Sequence, residues 1–551
     1  MLSWLIFAPM IGAALVAALP RGRVFAVRWL GLLASLAALY LAVRLFQTFD
    51  PAASAMQFVI RRPWVPLLGI QYAVGVDGIS LLLVMLTAVI FPIALLSSWG
   101  SIEEKVKEFT VAMLILETAV LGTFLSLDLV LFYVFWEAVL IPMYFLIGIW
   151  GGPNRTYAAN KFILYTMAAS VLMLVAIIAL YLVAAPAGER TFDLLRLQEA
   201  AVPATLAPWL FAAFTLAFAV KVPVWPLHTW LPDAHVEAPT AGSVVLAAIL
   251  LKMGTYGFLR FSLGLFPEVA VAAAPLLLVL AVIGIIYGGI VSWAQPDLKR
   301  LVAFSSVSHL GFVTLGIFAL TTEAMQGALL QMVNHGISTG GLFLIVGVLY
   351  DRLHSREIKD YGGVAALMPR FAVIFTIVML SSAALPATNG FVGEFLILLG
   401  TFRRSVVFAA LAATGAILSV IYLLWAYQEV MQGPFTAKTP ERLVEVGWRE
   451  TLLFAPLIAL IFWIGLYPSP LLRRSEASIR AIVDRVEQRV ARAGASHRYS
   501  GSNPALVPTD GSPSAASAGE RGALQSVRRT PPRSAVPPRS AWRTPSRSPR
   551  R

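Results

Sequence analysis

The sequence predicts an all-α polytopic membrane protein with about fourteen transmembrane helices. Of its 551 residues, 58% are hydrophobic and only 13% are charged, and the mean hydropathy is +0.79. A soluble chain of this composition would aggregate. The apolar stretches run unbroken for about 20 residues, the length that a helix needs to cross a bilayer, whereas barrel strands would alternate over about ten.

Apolar windows follow one another along the chain. The first, MLSWLIFAPMIGAALVAALP, has no basic N-terminal segment and a second apolar run follows it, so we interpret it as a permanent span and not as a signal peptide. The fourteen windows are centred near Ala13, Leu36, Met85, Thr118, Val139, Met173, Phe214, Leu250, Ile283, Leu310, Gly336, Met379, Leu418 and Leu460.

Basic residues are divided unequally between the alternating loops. Sixteen Lys and Arg residues fall in the loops of one side, and seven, counting Arg260 among them, fall on the other. Because Lys-rich and Arg-rich loops stay on the cytoplasmic side, we predict that both ends of the membrane body lie outside.

The C-terminal part carries most of the positive charge, with 16 Arg and five acidic residues from residue 471 onward. Residues 471–494 place apolar side chains on one helical face and Arg opposite, which predicts an amphipathic interfacial helix. Residues 495–551 are rich in Ser, Pro and Arg and are predicted to be disordered, with nucleic-acid or lipid binding as the less favoured alternative. The apolar face consists of Ile479, Ile482, Val483, Val486 and Val490.

The chain lacks the residues of several chemistries. It contains no cysteine, which excludes disulfides, thiolate ligation of iron–sulfur clusters and a catalytic thiol. It also has neither a dinucleotide-binding Gly-rich fingerprint nor a P-loop. Any redox chemistry therefore belongs to a partner.

Ionisable residues nevertheless lie inside the apolar runs. Each costs several kcal/mol there and usually faces a bundle interior or a wet cavity. A single pair could be structural, but a series over the central helices favours a pathway for charge. The series is Glu117, Glu137, Lys221, Lys252, His309, His335 and Glu394.

Two proline-containing breaks accompany this series. Pro223 is predicted to end a helix just after Lys221, where helix carbonyls favour a cation. Pro386 precedes a second half-helix, in which Asn389 is predicted to be the N-cap and Glu394 lies near the positive end. At membrane depth such breaks must line a cavity or be buried in protein.

The two breaks predict an inverted-repeat transporter, the alternative being unrelated proline kinks. Glu137 precedes Lys221 by 84 residues, and His309 precedes Glu394 by 85. A carboxylate near Lys221 would keep the lysine charged, and its withdrawal would release a proton. Lys252, His309 and His335 could then relay a proton toward Glu394.

No nucleophile or metal cage is evident in the sequence. His228, Asp233, His235 and Glu237 are spaced loosely enough to suggest metal ligands, but we predict that they lie in a Pro-rich loop, and we disfavour ligation.

Several motifs resemble those of the antiporter-like subunits of complex I, the proton-translocating NADH:quinone oxidoreductase. They are FWEAVLIPMYFLIG, FAVKVPVWPLHTWLPDAHVEAPTAGSVVLAAILLKMGTYG, SSVSHLGF, MVNHGI and LPATNGFVGEFLIL. The resemblance covers about residues 1–470. Glu394, where sister subunits usually carry lysine, indicates the M-type branch (chain 4 in mitochondria).

The resemblance implies a 14-helix fold with two inverted five-helix repeats, each containing a broken helix. The implied segments are helices 1–3 in 1–107, the repeats in 108–262 and 263–432, and a loop with the last helix in 433–470.

The resemblance also implies roles for three sites. Glu137 would be the carboxylate partner of Lys221, Lys252 the central relay lysine and Glu394 the terminal exchange site. It further implies a multi-pass protein of the bacterial cytoplasmic (inner) membrane among other membrane-arm subunits, with flavin, iron–sulfur clusters and quinone in partner subunits and no cofactor in this chain.

Other functional classes remain open from the residues alone. One is a subunit of a multi-subunit cation/proton antiporter, which lysine at position 394 would have favoured. Another is a subunit of a membrane-bound hydrogenase or formate-linked complex. The third is a membrane scaffold whose buried charges only orient helices.

Overall fold

The computed structural model describes residues 1–186, 189–433 and 443–500, with side chains up to residue 492. The predicted tail 495–551 therefore lies almost entirely outside the described residues. Twenty-two α-helices are present in the described part, and most of the chain is helical, as predicted. They are α1 Leu2–Ala18, α2 Val24–Thr48, α3 Gly78–Ser101, α4 Val106–Leu125, α5 Leu129–Ala138, α6 Leu140–Trp150, α7 Arg155–Val183, α8 Leu194–Glu199, α9 Ala207–Lys221, α10 Trp230–Glu237, α11 Thr240–Val245, α12 Leu251–Gly257, α13 Leu263–Leu265, α14 Pro267–Trp293, α15 Leu298–Phe318, α16 Thr322–Leu353, α17 Val364–Leu367, α18 Pro369–Ser382, α19 Asn389–Arg404, α20 Val406–Met431, α21 Trp448–Leu466 and α22 Ser469–Ser500.

Eleven helical stretches among the described residues are long and apolar enough to cross a membrane. Two of them join consecutive helices, in Leu129–Trp150 and Thr240–Leu265. Three further apolar helices are shorter, namely α1, α9 and α18. The coarse prediction of a polytopic helical membrane protein is thus confirmed.

The centre of the molecule is formed by Thr240–Leu265, α15 and α16, which are buried along their spans. Peripheral helices such as α2, α7 and α20 instead expose apolar side chains, including Phe25 and Val407. Exposed apolar surface of this kind is expected where a helix faces lipid.

Two wide, π-helical turns interrupt the central stretch, at Leu246–Leu250 and Phe258–Ser262. Such turns are rare and tend to occur at functional sites. The first ends two residues before Lys252, and the second contains Arg260. Each turn changes the direction in which the following side chains point.

The prediction of a purely α-helical fold is wrong in one place. Strands β1 Gln57–Val65 and β2 Ile70–Val76 form an antiparallel hairpin between α2 and α3. A short 3₁₀ turn, Pro66–Leu68, connects them, and Gly69 follows with a φ of 70°, which glycine adopts without strain. Pro63 lies within β1, an outer strand of this two-stranded sheet, where its missing N–H is tolerated.

The last helix, α22, packs its apolar face onto the protein. Ile479, Val483 and Val486 are buried. Ser478 Oγ accepts a hydrogen bond of 3.0 Å from the N–H of Gly78, the first residue of α3. The helix predicted at 471–494 therefore has protein as its packing partner.

Candidate functional site

Two polar contacts, joined by a pair of neighbouring imidazole rings, cross the buried centre. Lys252 Nζ lies 2.6 Å from His335 Nδ1, and His309 Nδ1 lies 3.0 Å from Glu394 Oε1. The two imidazole rings between these pairs meet edge to face, with their centroids 5.8 Å apart. All four residues are at most 3% exposed. The structure thus brings four of the predicted site residues together.

The central helices fix this geometry. Lys252 follows the first π-helical turn and donates to the carbonyl of Ala247 within it, at 2.6 Å. His335 and His309 project from the buried faces of α16 and α15, while Glu394 lies in the second turn of α19.

Further polar side chains, not predicted from the sequence, surround Glu394. Gln331 Nε2 donates to Glu394 Oε1 at 3.0 Å. The Tyr422 hydroxyl lies 3.3 Å from His309 Nε2. Gln331 precedes His335 by four residues and hence shares its helix face, a spacing that could have identified it.

The break before Glu394 is built differently from the prediction. Asn389 is not the N-cap of α19, because Thr388 occupies that position and no side chain caps the helix. The Asn389 side chain instead accepts a hydrogen bond from Ser381 Oγ, at 2.5 Å, across the break. Its backbone carbonyl accepts a hydrogen bond from Asn334 Nδ2 on α16, at 2.6 Å. Asn389 therefore ties the two half-helices together.

The break after Lys221 leaves its carbonyls bonded. Helix α9 ends at Lys221, before Pro223. The carbonyl that Pro223 cannot use, that of Ala219, accepts from Val224 N at 2.8 Å. Trp230 Nε1 donates to the Val220 carbonyl at 2.9 Å. The expected row of free carbonyls is thus largely occupied.

Lys221 itself has no hydrogen-bond partner on its ammonium among the described residues. It is 2% exposed, and its Nζ lies 5.0 Å from the centre of the Trp136 ring, a cation–π distance. Glu137 is near enough to act on it electrostatically. The structure forms no direct ion pair between the two within the described residues.

Glu137 lies at a helix irregularity of its own. It is the penultimate residue of α5, and Pro142 in α6 removes the N–H that would bind the carbonyl of Ala138. Glu137 is half-buried, its Oε1 has no hydrogen-bond partner in the described part of the chain, and Tyr133 lies beside it. One of its two carboxylate oxygens thus remains without a hydrogen bond among the described residues.

Glu117 stands apart from the line of contacts. It is fully buried on α4, and its Oε1 accepts from Ser35 Oγ on α2 at 3.0 Å. Its position next to α2 separates it from the Lys252–Glu394 contacts.

His228, Asp233, His235 and Glu237, considered above as metal ligands, do not share a common centre. Three of them lie on α10 and not in a loop, because Pro232 falls in the first turn, where proline is tolerated. Asp233 pairs with Lys161 at 2.7 Å. Glu237 Oε2 accepts from the backbone N–H of Asn154 at 2.9 Å. Among the described residues, no three His, Asp or Glu side chains converge in a way that could hold a metal.

His235 lies near both this region and Lys252. It is fully buried, stacks on Phe343 at 4.5 Å and has no hydrogen-bond partner on either ring nitrogen within the described residues. Lys299 and Lys252 both act on it electrostatically. Lys299 lines a surface cavity of about 150 Å³ together with Glu237.

Arg260 was assigned to an outer loop, and that assignment is wrong. It is 5% exposed inside the central helical stretch, and its Nη2 lies 2.6 Å from Asp77 Oδ1. Eight residues separate it from Lys252, so it lies on the same helical stretch.

Comparison with known proteins gives consistent matches. Residues 126–421 match the profile of a family described as NADH:quinone oxidoreductase/Mrp antiporter, TM. The chain is similar to NADH-quinone oxidoreductase subunit M of Rhodobacter capsulatus, with 47% identity over 486 residues, covering 85% of this chain and 93% of that protein.

Solved structures extend these matches. A chain of respiratory complex I from Thermus thermophilus with bound NADH superposes with a TM-score of 0.80 and 33% identity, covering 88% of this chain and 100% of that one. A chain of the Mrp complex from Dietzia sp. DQ12-45-1b superposes with a TM-score of 0.76 and 19% identity, covering 89% of this chain and 99% of that one. At this identity the similarity concerns the fold alone.

Proposed function

Because the chain belongs to the NADH:quinone oxidoreductase/Mrp antiporter membrane family, we propose that it is an M-type, antiporter-like subunit of NADH-quinone oxidoreductase that moves protons in the membrane arm. The observation that carries the proposal is the buried line of contacts from Lys252 through His335 and His309 to Glu394. Lysine, imidazole and carboxylate groups can each bind and release a proton.

The proton is proposed to enter from the cavity beside Glu237 and Lys299 and to reach Lys252 by way of His235. The support is the burial of His235 between these two lysines, with both ring nitrogens unbonded in the described part of the chain. From Lys252 the proton passes to His335 at 2.6 Å. The ring-to-ring step to His309 has no direct hydrogen bond and requires a water molecule or a ring rotation.

Glu137 and Lys221 are proposed to control this transfer. The half-buried carboxylate holds the Lys221 ammonium in its charged form when near, and its withdrawal favours release of the lysine proton. Their separation beyond ion-pair distance in this structure is compatible with a carboxylate that changes partners.

The finer architecture belongs to the same proposal. The eleven long stretches and the three shorter apolar helices would together make fourteen crossings. The breaks α9/α10 and α18/α19 support two inverted five-helix repeats, in 108–262 and 263–432. The partners would be the other membrane-arm subunits, above all the sister antiporter-like subunits, in a bacterial cytoplasmic membrane. Flavin, iron–sulfur clusters and quinone would belong to partner subunits.

The test is proton pumping per electron by the whole complex in liposomes. Lys221→Ala and Glu137→Ala are compared with the wild type and with Lys359→Ala, which replaces an exposed lysine on the predicted inner face. Native gels first show that each complex assembles. We expect both pumping and coupled quinone reduction to be lost in the first two variants only. Unchanged pumping per electron in an intact complex would reduce the buried charges to a structural role.

A further inference from the structure

A buried ion pair above Lys252 takes no part in the proposed proton transfer. Arg260 Nη2 lies 2.6 Å from Asp77 Oδ1, and both side chains are at most 6% exposed. Arg260 Nε also donates to the Tyr256 hydroxyl at 3.3 Å. Asp77 is the N-cap of α3, where its carboxylate accepts the backbone N–H of Ser80 at 3.0 Å. The guanidinium is therefore held from two sides.

The charges of this pair are fixed. Burial raises the pKa of the Asp77 carboxyl, but Arg260 and the Ser80 hydrogen bonds lower it by more, so the pKa lies below its ordinary value. Asp77 thus remains an anion that anchors the guanidinium. A guanidinium carries five N–H donors and no acceptor, and it does not lose its proton in proteins. It can neither take up a proton and pass it on nor attract a cation.

The space between Lys252 and Arg260 contains aromatic rings and the Thr255 hydroxyl, which donates to the Lys252 carbonyl at 3.1 Å. Eight residues correspond to roughly 12 Å along a helix at 1.5 Å per residue. Tyr256 lies between them, with its ring 5.3 Å from that of Phe124 and 6.3 Å from that of Phe261. Its hydroxyl is occupied by the Phe124 carbonyl at 3.1 Å. Residues 253–259 include no acid, His or Lys.

More positive charge lies beyond the pair. Gln198 of α8 donates to the Arg260 carbonyl at 3.3 Å. Two guanidinium groups of α22 bind Gln198 in turn, Arg485 through the side-chain oxygen and Arg489 through the backbone carbonyl. A proton moving outward from Lys252 would thus meet aromatic rings, then Arg260 and then two more arginines.

We propose that Arg260 seals the outer end of the path above Lys252, so that the proton leaves Lys252 sideways toward His335. This inference rests on the proposed function and on the predicted orientation of the chain. The sideways branch is polar, with His309, Gln331 and Glu394 in contact. Arg260 is a positioning residue that determines the direction of transfer without carrying the proton.

The test measures passive proton leak. The complex is reconstituted into liposomes, a pH gradient is imposed without NADH, and its decay is followed with a pH-sensitive dye. The variants are Arg260→His, Arg260→Gln and Arg260→Lys. Arg61→His is the matched control, because Arg61 lies on the hairpin, is 45% exposed and, like Arg260, pairs with a buried aspartate, Asp193.

If Arg260 seals the path, the variants should differ in the rate at which the pH gradient decays. Histidine can bind and release protons at neutral pH, so Arg260→His should increase the decay rate at least about fivefold. Arg260→Gln should leak less, and Arg260→Lys, still charged beside Asp77, should match the wild type, as should Arg61→His. Equal leaks in the Lys and His variants would indicate packing alone, and no leak in any of them would mean that Arg260 seals nothing.

Failure of the seal is separable from failure of the proposed function. NADH-driven pumping of the wild type and of Glu394→Gln is measured in the same liposomes. Unchanged pumping in Glu394→Gln would count against the proton path, whereas the leak series concerns Arg260 alone.

A second measurement leaves Arg260 intact, in case its variants do not assemble. Thr255 is fully buried below the pair, and the chain has no cysteine of its own. A membrane-impermeant thiol reagent added from outside should label Leu67→Cys, at a 92% exposed position of the hairpin turn, and not Thr255→Cys. Labelling at position 255 would overturn the seal.

Discussion

At the scale of single residues, the capacity to release a proton separates the important side chains from their neighbours. His309 contacts Glu394 through Nδ1 and Tyr422 through Nε2. Imidazole is the one side chain whose ordinary pKa lies near neutral pH, whereas a buried tyrosine hydroxyl mainly orients the ring. The two contacts of His309 should therefore differ in their functional weight.

Replacing His309 by glutamine should show this difference. Glutamine can still hydrogen-bond to Glu394 but cannot carry a proton, so we expect coupled quinone reduction to fall about tenfold or more. Tyr422→Phe removes one neutral hydrogen bond, of about 1 kcal/mol, and should cost at most about fivefold. The measurement is NADH–quinone reductase activity of assembled complexes. Equal losses in both variants would contradict a proton-carrying role for His309.

Gly393→Ala should disturb the same site by crowding. A Cβ at this position would collide with the side-chain oxygen of Gln331 and lie 2.9 Å from Asn334 Nδ2. Overpacking of this kind costs about 1–3 kcal/mol, and it would push Gln331 away from Glu394. We expect several-fold lower activity and a shorter half-life on heating. Gly22→Ala, in the loop between α1 and α2 with open space around the added Cβ, is the control and should behave as the wild type.

The sequence predicts the charged residues of the candidate site but not their neutral hydrogen-bond partners. Charged groups in apolar runs identify Lys252, His335 and Glu394 because their cost in a membrane is high. A neutral side chain such as that of Gln331 costs less free energy in a membrane than a charged one, so its presence in an apolar run does not indicate a functional site. Arg260 was misplaced because charge density alone does not distinguish the end of a helix from a loop.

At the scale of elements, the start of α5 shows how loops hold the helices. Asp128 accepts the backbone N–H groups of Val130 at 2.9 Å and Leu131 at 3.1 Å. It also accepts the N–H of Gln71 in β2 at 3.0 Å, so one carboxylate joins the helix to the hairpin.

Removing that carboxylate should loosen the hairpin. An N-cap contributes about 1 kcal/mol, and the contact with Gln71 adds to it. In Asp128→Ala we expect amide hydrogens of the hairpin to exchange about tenfold faster, as seen by hydrogen–deuterium exchange and mass spectrometry. Asp50→Ala is the control, because among the described residues the exposed Asp50 side chain accepts only the N–H of Ala52, and its backbone bonds to Gln57 remain in the variant. It should leave the exchange of β2 unchanged. Equal exchange in both variants would show that Asp128 does not anchor the hairpin.

The helices could be predicted where a single large free-energy term determines where they form or end. Long apolar runs predict helices, and Pro223 and Pro386 indicate where two helices stop. The hairpin was missed because β1 contains Pro63 and charged residues and has no regular alternation. The π-helical turns were also missed, since they leave no pattern of residue types in the sequence.

At the scale of the whole molecule, the absence of cysteine makes orientation testable. Gly22 lies in the exposed loop between α1 and α2, where a Cβ added to it would meet only open space. With both ends outside, Gly22→Cys should react with an impermeant thiol reagent only in inside-out vesicles, and Leu67→Cys only in right-side-out vesicles. The reverse pattern would invert the assigned orientation, and reaction of both from one side would contradict the fold.

The path of α22 also has a consequence for biosynthesis. Its Ser478 contacts Gly78, 400 residues earlier in the chain, and its Arg489 contacts Gln198, 291 residues earlier. At about 5–20 residues per second, a ribosome needs on the order of a minute to supply the first of these partners. Until then the start of α3 stays uncovered, although the spans themselves have been made. A nascent chain that stops early would therefore expose the start of α3. This exposed surface would distinguish an incomplete chain from a complete one for quality-control proteases.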